Sequence, residues 1–149
     1  LNRPLTTWWL HRYGENISSP FGSVYGPKVL IINEYAGSGG DAFPYLFRLS
    51  GSGKMVGKRT WGGLVGITGY PPLMDGGMVT SPSISIVSKE GKFVVENEGV
   101  APDFEVDITP ADFLAGRDPQ LEKAVAVALE ELKLNPVPKF HHDPFPRGR

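Results

Sequence analysis

The sequence reads as strands alternating with helices, an α/β pattern, and three features carry that reading. The run Lys28-Val29-Leu30-Ile31-Ile32-Asn33 leads into a glycine-rich turn and then a helical stripe, a second strand pattern lies at 54–59, and a long amphipathic pattern ends near Leu132. With 149 residues the chain can form one compact domain, which at this size hides roughly 70% of its extended-chain surface.

Residues 1–26 mix Trp8, Trp9, Tyr13, Phe21 and Tyr25 with proline and glycine, and a short helix is expected near 5–11, followed by loop. The run 28–33 is β-branched, apolar and bounded by Gly26-Pro27 and Glu34, the pattern of a strand buried on both faces. Tyr35-Ala36-Gly37-Ser38-Gly39-Gly40 is too rich in small residues for a regular element. A helix is then expected, with Asp41 as N-cap, Pro44 in the first turn and apolar residues at 43, 46, 47 and 49. Residues 54–59 read as a strand and 60–69 as a glycine-rich loop. Asp75-Gly76-Gly77 suits a hairpin turn, 83–87 alternates with a period of two, and Glu90-Gly91-Lys92 turns the chain into Phe93-Val94-Val95. Asp118-Pro119 opens a last helix, whose apolar positions 121, 124, 125, 128, 129 and 132 share one face. The expected division is a subdomain over 1–135 and a proline-rich tail over 136–149.

Composition narrows the function. A formal net charge of -1 gives no reason to expect a nucleic acid partner, and no apolar run is long enough for a membrane span. The absence of cysteine excludes disulfides, thiolate metal sites and a thiol nucleophile, and suits a cytoplasmic protein. No cofactor or metal is expected: His141-His142 has no further ligand at suitable spacing, and Gly51-Ser52-Gly53-Lys54 fails as a phosphate loop because Arg48 and Met55 stand where glycine and a hydroxyl residue belong. The start at Leu1, without a methionine or signal-peptide pattern, suggests a piece of a longer polypeptide.

The chemistry is expected at Ser38. A serine at a sharp strand-to-helix turn presents its hydroxyl, and small neighbours let a carbonyl substrate approach the backbone. The next amide, that of Gly39, stands at the helix head, where unpaired donors and the dipole favour an oxyanion.

Asn33 to Asp41 around that serine, then Arg59-Thr60-Trp61-Gly62-Gly63, Val95-Glu96-Asn97 and Gly99-Val100-Ala101-Pro102-Asp103, resemble in order the catalytic C-terminal region of the tricorn protease family. C-terminal processing peptidases are its relatives. The resemblance implies an α/β fold of a mixed sheet with packed helices, a crotonase-like, Clp-peptidase-like core, and a serine endopeptidase with Ser38 as nucleophile, Gly39 N–H as one oxyanion donor and Glu96 as the acid of a Ser-His-Ser-Glu tetrad. It also implies that the histidine, the second serine and a PDZ-like segment precede Leu1, that peptides are the substrates and that the parent forms homo-oligomers. Processing peptidases with a Ser-Lys dyad carry lysine where this chain has Gly63, so an imidazole base is implied instead. The residue after the nucleophile, acidic in the tricorn pattern, is glycine here.

Other readings stay open. Glu98 takes the acid role if the register is off by two, since both would face one side of a strand. An esterase of the α/β-hydrolase kind would use Ser38, Asp103 and His141 or His142, with His11 as a further, unplaced imidazole. A binding or assembly module of the same fold would do no chemistry, and the isolated chain is itself expected to be inactive.

Overall fold

The computed structural model describes residues 1–145; the last residues of the expected tail, 146–149, lie outside the described residues. The chain divides into two compact units, 28–127, and Leu1–Pro27 with the chain from Ala128 onward.

In the larger unit, β3 (Val29–Ile32) and β4 (Lys54–Gly57) pair in parallel, and β4 pairs in parallel with β7 (Phe104–Glu105). Parallel neighbours need a crossover, and α1 (Gly39–Leu49) supplies it between β3 and β4. Side-chain alternation along β4 then sends consecutive residues to opposite faces. Met55, fully buried, joins Ile32, Phe47, Leu64, Val95 and Val100 on the α1 side. Val56, also fully buried, packs with Ala124 and Val127 of α3 (Pro119–Leu134). The mixed α/β architecture expected from the sequence is therefore present, with helices on both faces of the sheet.

The antiparallel component is the pair β5 (Gly66–Gly69) and β6 (Thr80–Ile84). A turn sits between them, with Leu73 and Gly77 joined by a backbone hydrogen bond of 2.8 Å. The strand expected at 83–87 instead runs Thr80–Ile84, and part of the expected loop 60–69 is strand. Val87 and Phe93 form an isolated antiparallel bridge. The short helix α2 (Pro110–Leu114) follows β7, closed at its start by Thr109 and Asp112 in a reciprocal capping box.

In the smaller unit the helix expected near 5–11 is replaced by β1 (Thr7–Trp9), antiparallel to β2 (Ile17–Ser19). The segment is rich in Thr and Trp, which suit a pleated surface better than a helix. Trp8 meets Phe140 edge to face at 5.3 Å between ring centroids.

Three further expectations change. Ile31 is 40% exposed, so β3 is not buried on both faces; among the described residues it lies at the edge of its sheet, beside β4. On α3 the buried side chains are Gln120, Ala124 and Val127, while Leu121, Val125, Leu129 and Leu132 of the expected apolar face remain exposed. The N-cap of α1 is Ser38, not Asp41, which moves Pro44 beyond the first turn. No helix among the described residues is long and apolar enough to cross a membrane.

Candidate active site

Ser38 ends the turn that leaves β3 and caps α1 with φ 54° and ψ -112°. Capping residues ordinarily hold an extended conformation that lays the side-chain oxygen on the amides of the first helical turn. At positive φ that geometry is lost, and the Ser38 hydroxyl makes no capping bond. A non-glycine residue at positive φ is uncommon and strained, and here the strain falls on an exposed serine at the strand-to-helix corner. Gly39 is the first helical residue and is exposed, so its N–H belongs to the donors a helix leaves without internal partners.

The turn is fastened to the segment after β4. Trp61 N–H donates to the Ala36 carbonyl at 2.9 Å, and Ser38 N–H donates to the Gly63 carbonyl at 2.8 Å. The Trp61 indole lies across the turn: a Cβ at Gly37 would stand 2.5 Å from its Cε3, and one at Gly63 would stand 2.7 Å from the same atom. A side chain at either position would have to push the indole aside. The indole nevertheless remains 71% exposed.

Glu96 reaches the same segment from the other side. Leu64 N–H donates to Glu96 Oε2 at 2.6 Å, and Asn97 N–H donates to the Gly62 carbonyl at 2.8 Å. Glu96 sits between two positive-φ residues, Val95 at 71° and Asn97 at 63°. The Glu96 N–H donates to the Val94 carbonyl at 2.8 Å, a three-residue turn centred on β-branched Val95, whose positive-φ form is rare and strained. Gly62, at φ 85°, lies so near the backbone that its Cβ would stand 2.6 Å from Gly99 N.

Ser38 and Glu96 line one cleft of about 440 Å³, with Trp61, Gly62, Gly63, Val65, Ile67 and Asn97. Glu98, the other acid left open by the sequence, instead lines a separate cavity with Arg59 and Phe93. The two acids diverge because 96–98 is a tight turn and not a strand. The Asp103 carboxylate accepts from Met55 N–H at 2.7 Å and is not part of the Ser38 cleft. No histidine lines this cleft among the described residues.

A residue that sequence reasoning placed wrongly is Asp41. It is fully buried, and its Oδ1 accepts from Gly62 N–H at 2.8 Å. An acid three residues after a serine and just before an apolar helix reads as a cap, and nothing local distinguishes a cap from a buried tie.

Similarity to known proteins follows this geometry. The model of peptidase family S41 matches residues 11–106. The tricorn protease of Thermoplasma acidophilum is 46% identical over 114 residues, which cover 76% of this chain and 11% of that protein. Tricorn protease homolog 1 of Streptomyces coelicolor is 41% identical over 137 residues, covering 92% of this chain and 13% of that one. Among solved structures, the crystal structure of the tricorn protease superposes with a TM-score of 0.84 at 42% identity, over 89% of this chain and 13% of its own. The chain thus spans between a tenth and a seventh of these relatives.

Proposed function

Because the chain belongs to peptidase family S41, we propose that it is the nucleophile-bearing region of a serine endopeptidase of the tricorn kind, cutting peptide bonds through an acyl-enzyme on Ser38. The observation that carries this reading is the strained, exposed Ser38 at the head of α1, sharing a cleft with Glu96.

In this reading Ser38 Oγ attacks the scissile carbonyl carbon and yields its proton to an imidazole base. The carbonyl oxygen takes up the negative charge and receives a hydrogen bond from Gly39 N–H, a donor worth about 2.7–4 kcal/mol of transition-state stabilisation. Collapse expels the amine, which leaves with the proton held by the imidazole, and water repeats the sequence to release the acid. Glu96 serves as the acidic member of the Ser-His-Ser-Glu set and is kept in place by its bond to Leu64 N–H.

The base, the second serine and a PDZ-like segment are supplied by residues preceding Leu1 in a longer polypeptide, which also carries the assembly into homo-oligomers; the parent works in the cytoplasm. In the same proposal residues 1–135 form the catalytic subdomain and 136–149 a tail, and the isolated chain does not turn over peptides. That no histidine lines the cleft among the described residues also favours a second reading, a binding or assembly module that keeps the fold without the chemistry. Peptide hydrolysis by the full-length parent, measured with and without Ser38→Ala, separates the two. Loss of turnover supports the peptidase, and full activity in the variant refutes it.

A further inference from the structure

We propose that Asp41 is a positioning residue for the reaction, fixing the segment 61–64 so that Ser38 and Glu96 face one cleft. The inference rests on the reading of Ser38 as nucleophile.

The segment 61–64 holds the site together through its backbone. Trp61 N–H and the Gly63 carbonyl bind the nucleophile turn at Ala36 and Ser38, and the Gly62 carbonyl binds Asn97 N–H. Leu64 N–H binds the Glu96 carboxylate. Gly62 N–H lies near the centre of this run, and Asp41 Oδ1 accepts it at 2.8 Å. A side chain of the helix that Ser38 caps thus anchors the Trp61-Gly62 peptide, two peptide groups ahead of the Gly63-Leu64 peptide that carries both the Ser38 tie and the Glu96 contact.

Burial makes this anchor unusual. Asp41 is fully buried, and its Oδ2 takes no hydrogen bond among the described residues. Half of the carboxylate is therefore held out of water without a partner, a costly arrangement that a purely structural position would avoid by carrying an apolar residue. The first helical turn offsets part of the cost through its dipole. Gly62, at φ 85° and against the Gly99 backbone, cannot be locked by a side chain of its own, so the fastening has to come from elsewhere. Loosening it frees the Trp61-Gly62 peptide and with it the start of the segment that ends at Gly63-Leu64, and a shift of about 1 Å in a reacting geometry costs on the order of a hundredfold in rate.

The test uses the full-length parent polypeptide with Asp41→Ala, Asp41→Asn and Ser38→Ala. Three quantities are read: kcat and KM for a peptide substrate, and hydrogen–deuterium exchange of peptides spanning 60–64. Asp41→Ala is expected to lower kcat on the order of tenfold to a hundredfold with KM changed by less than about threefold, and to speed exchange across 60–64. Asp41→Asn, which keeps an acceptor for Gly62 N–H, is expected to recover part of both effects. The positioning role is overturned if Asp41→Ala leaves exchange at 60–64 as slow as in the wild type, if it leaves kcat within about twofold, or if Asp41→Asn is no better than Asp41→Ala. Ser38→Ala separates the two readings: full turnover in that variant refutes Ser38 as nucleophile, while exchange at 60–64 still reports whether Asp41 holds the loop.

Discussion

The backbone N–H of Leu64 donates to the Oε2 of Glu96 at 2.6 Å. This contact turns a half-buried acid on a strained turn into a fixed element of the Ser38 cleft, and it leaves Oε1 available for a further donor. Removing the carboxylate should therefore disturb the site more than the fold. Glu96→Gln is expected to retain the melting temperature within about 3 °C and to lower kcat in the parent enzyme at least about tenfold. Thermal unfolding and steady-state kinetics on the same sample check both.

Gly62→Ala should be among the most damaging substitutions at the cleft. Its φ of 85° disfavours a side chain, and the new Cβ would stand 2.6 Å from Gly99 N, a backbone atom with no easy way to move. Positive-φ strain alone costs about 1–3 kcal/mol. Denaturant unfolding is expected to show more than that loss, because the clash adds to it, against a loss limited to the strain itself for Gly91→Ala, where φ is 77° but nothing lies within 4 Å.

Trp61 separates binding from folding. The indole is mostly exposed yet walls the cleft beside Ser38. Trp61→Ala is expected to raise KM for peptides several-fold, by about 1 kcal/mol or more of lost contact, while kcat falls less. An unchanged KM would show that substrates do not touch this wall.

Acid sensitivity should appear at α2. Asp112 accepts hydrogen bonds from the Thr109 hydroxyl and, less strongly, from Arg117, and these hold its carboxyl down to about 2. Its folded pKa lies below the unfolded value of about 3.9, so the stability it contributes is present above that value and is lost as pH falls through about 2. Asp112→Asn should thus be less stable than the wild type at neutral pH, with the difference closing between about pH 4 and 2. Urea midpoints measured across that range decide it.

Much of the site was legible because its signals are local. A β-branched run, a cluster of glycines around Ser38 and an apolar stripe after it specify strand, turn and helix without reference to the rest of the chain. What escaped depends on neighbours distant in sequence. Strand β7 has two residues and exists through its pairing with β4, and the exposure of Ile31 follows from the edge position of β3. Thr7–Trp9 pairs with Ile17–Ser19, in a segment whose apolar residues follow neither a period of two nor one of 3.6. A signal was present for α2, since Thr109-Pro110 followed by Asp112 has the form of a capped helix start. For Asp41 there was none, because its carboxylate finds Gly62 only once β4 has brought that loop to the helix.

The central claim, that Ser38 is the nucleophile, is most directly tested by treating the full-length parent with a fluorophosphonate and mapping the adduct by mass spectrometry. The account predicts a phosphonyl group on Ser38, with peptidase activity falling in step with its occupancy. Complete loss of activity with Ser38 unmodified would contradict it.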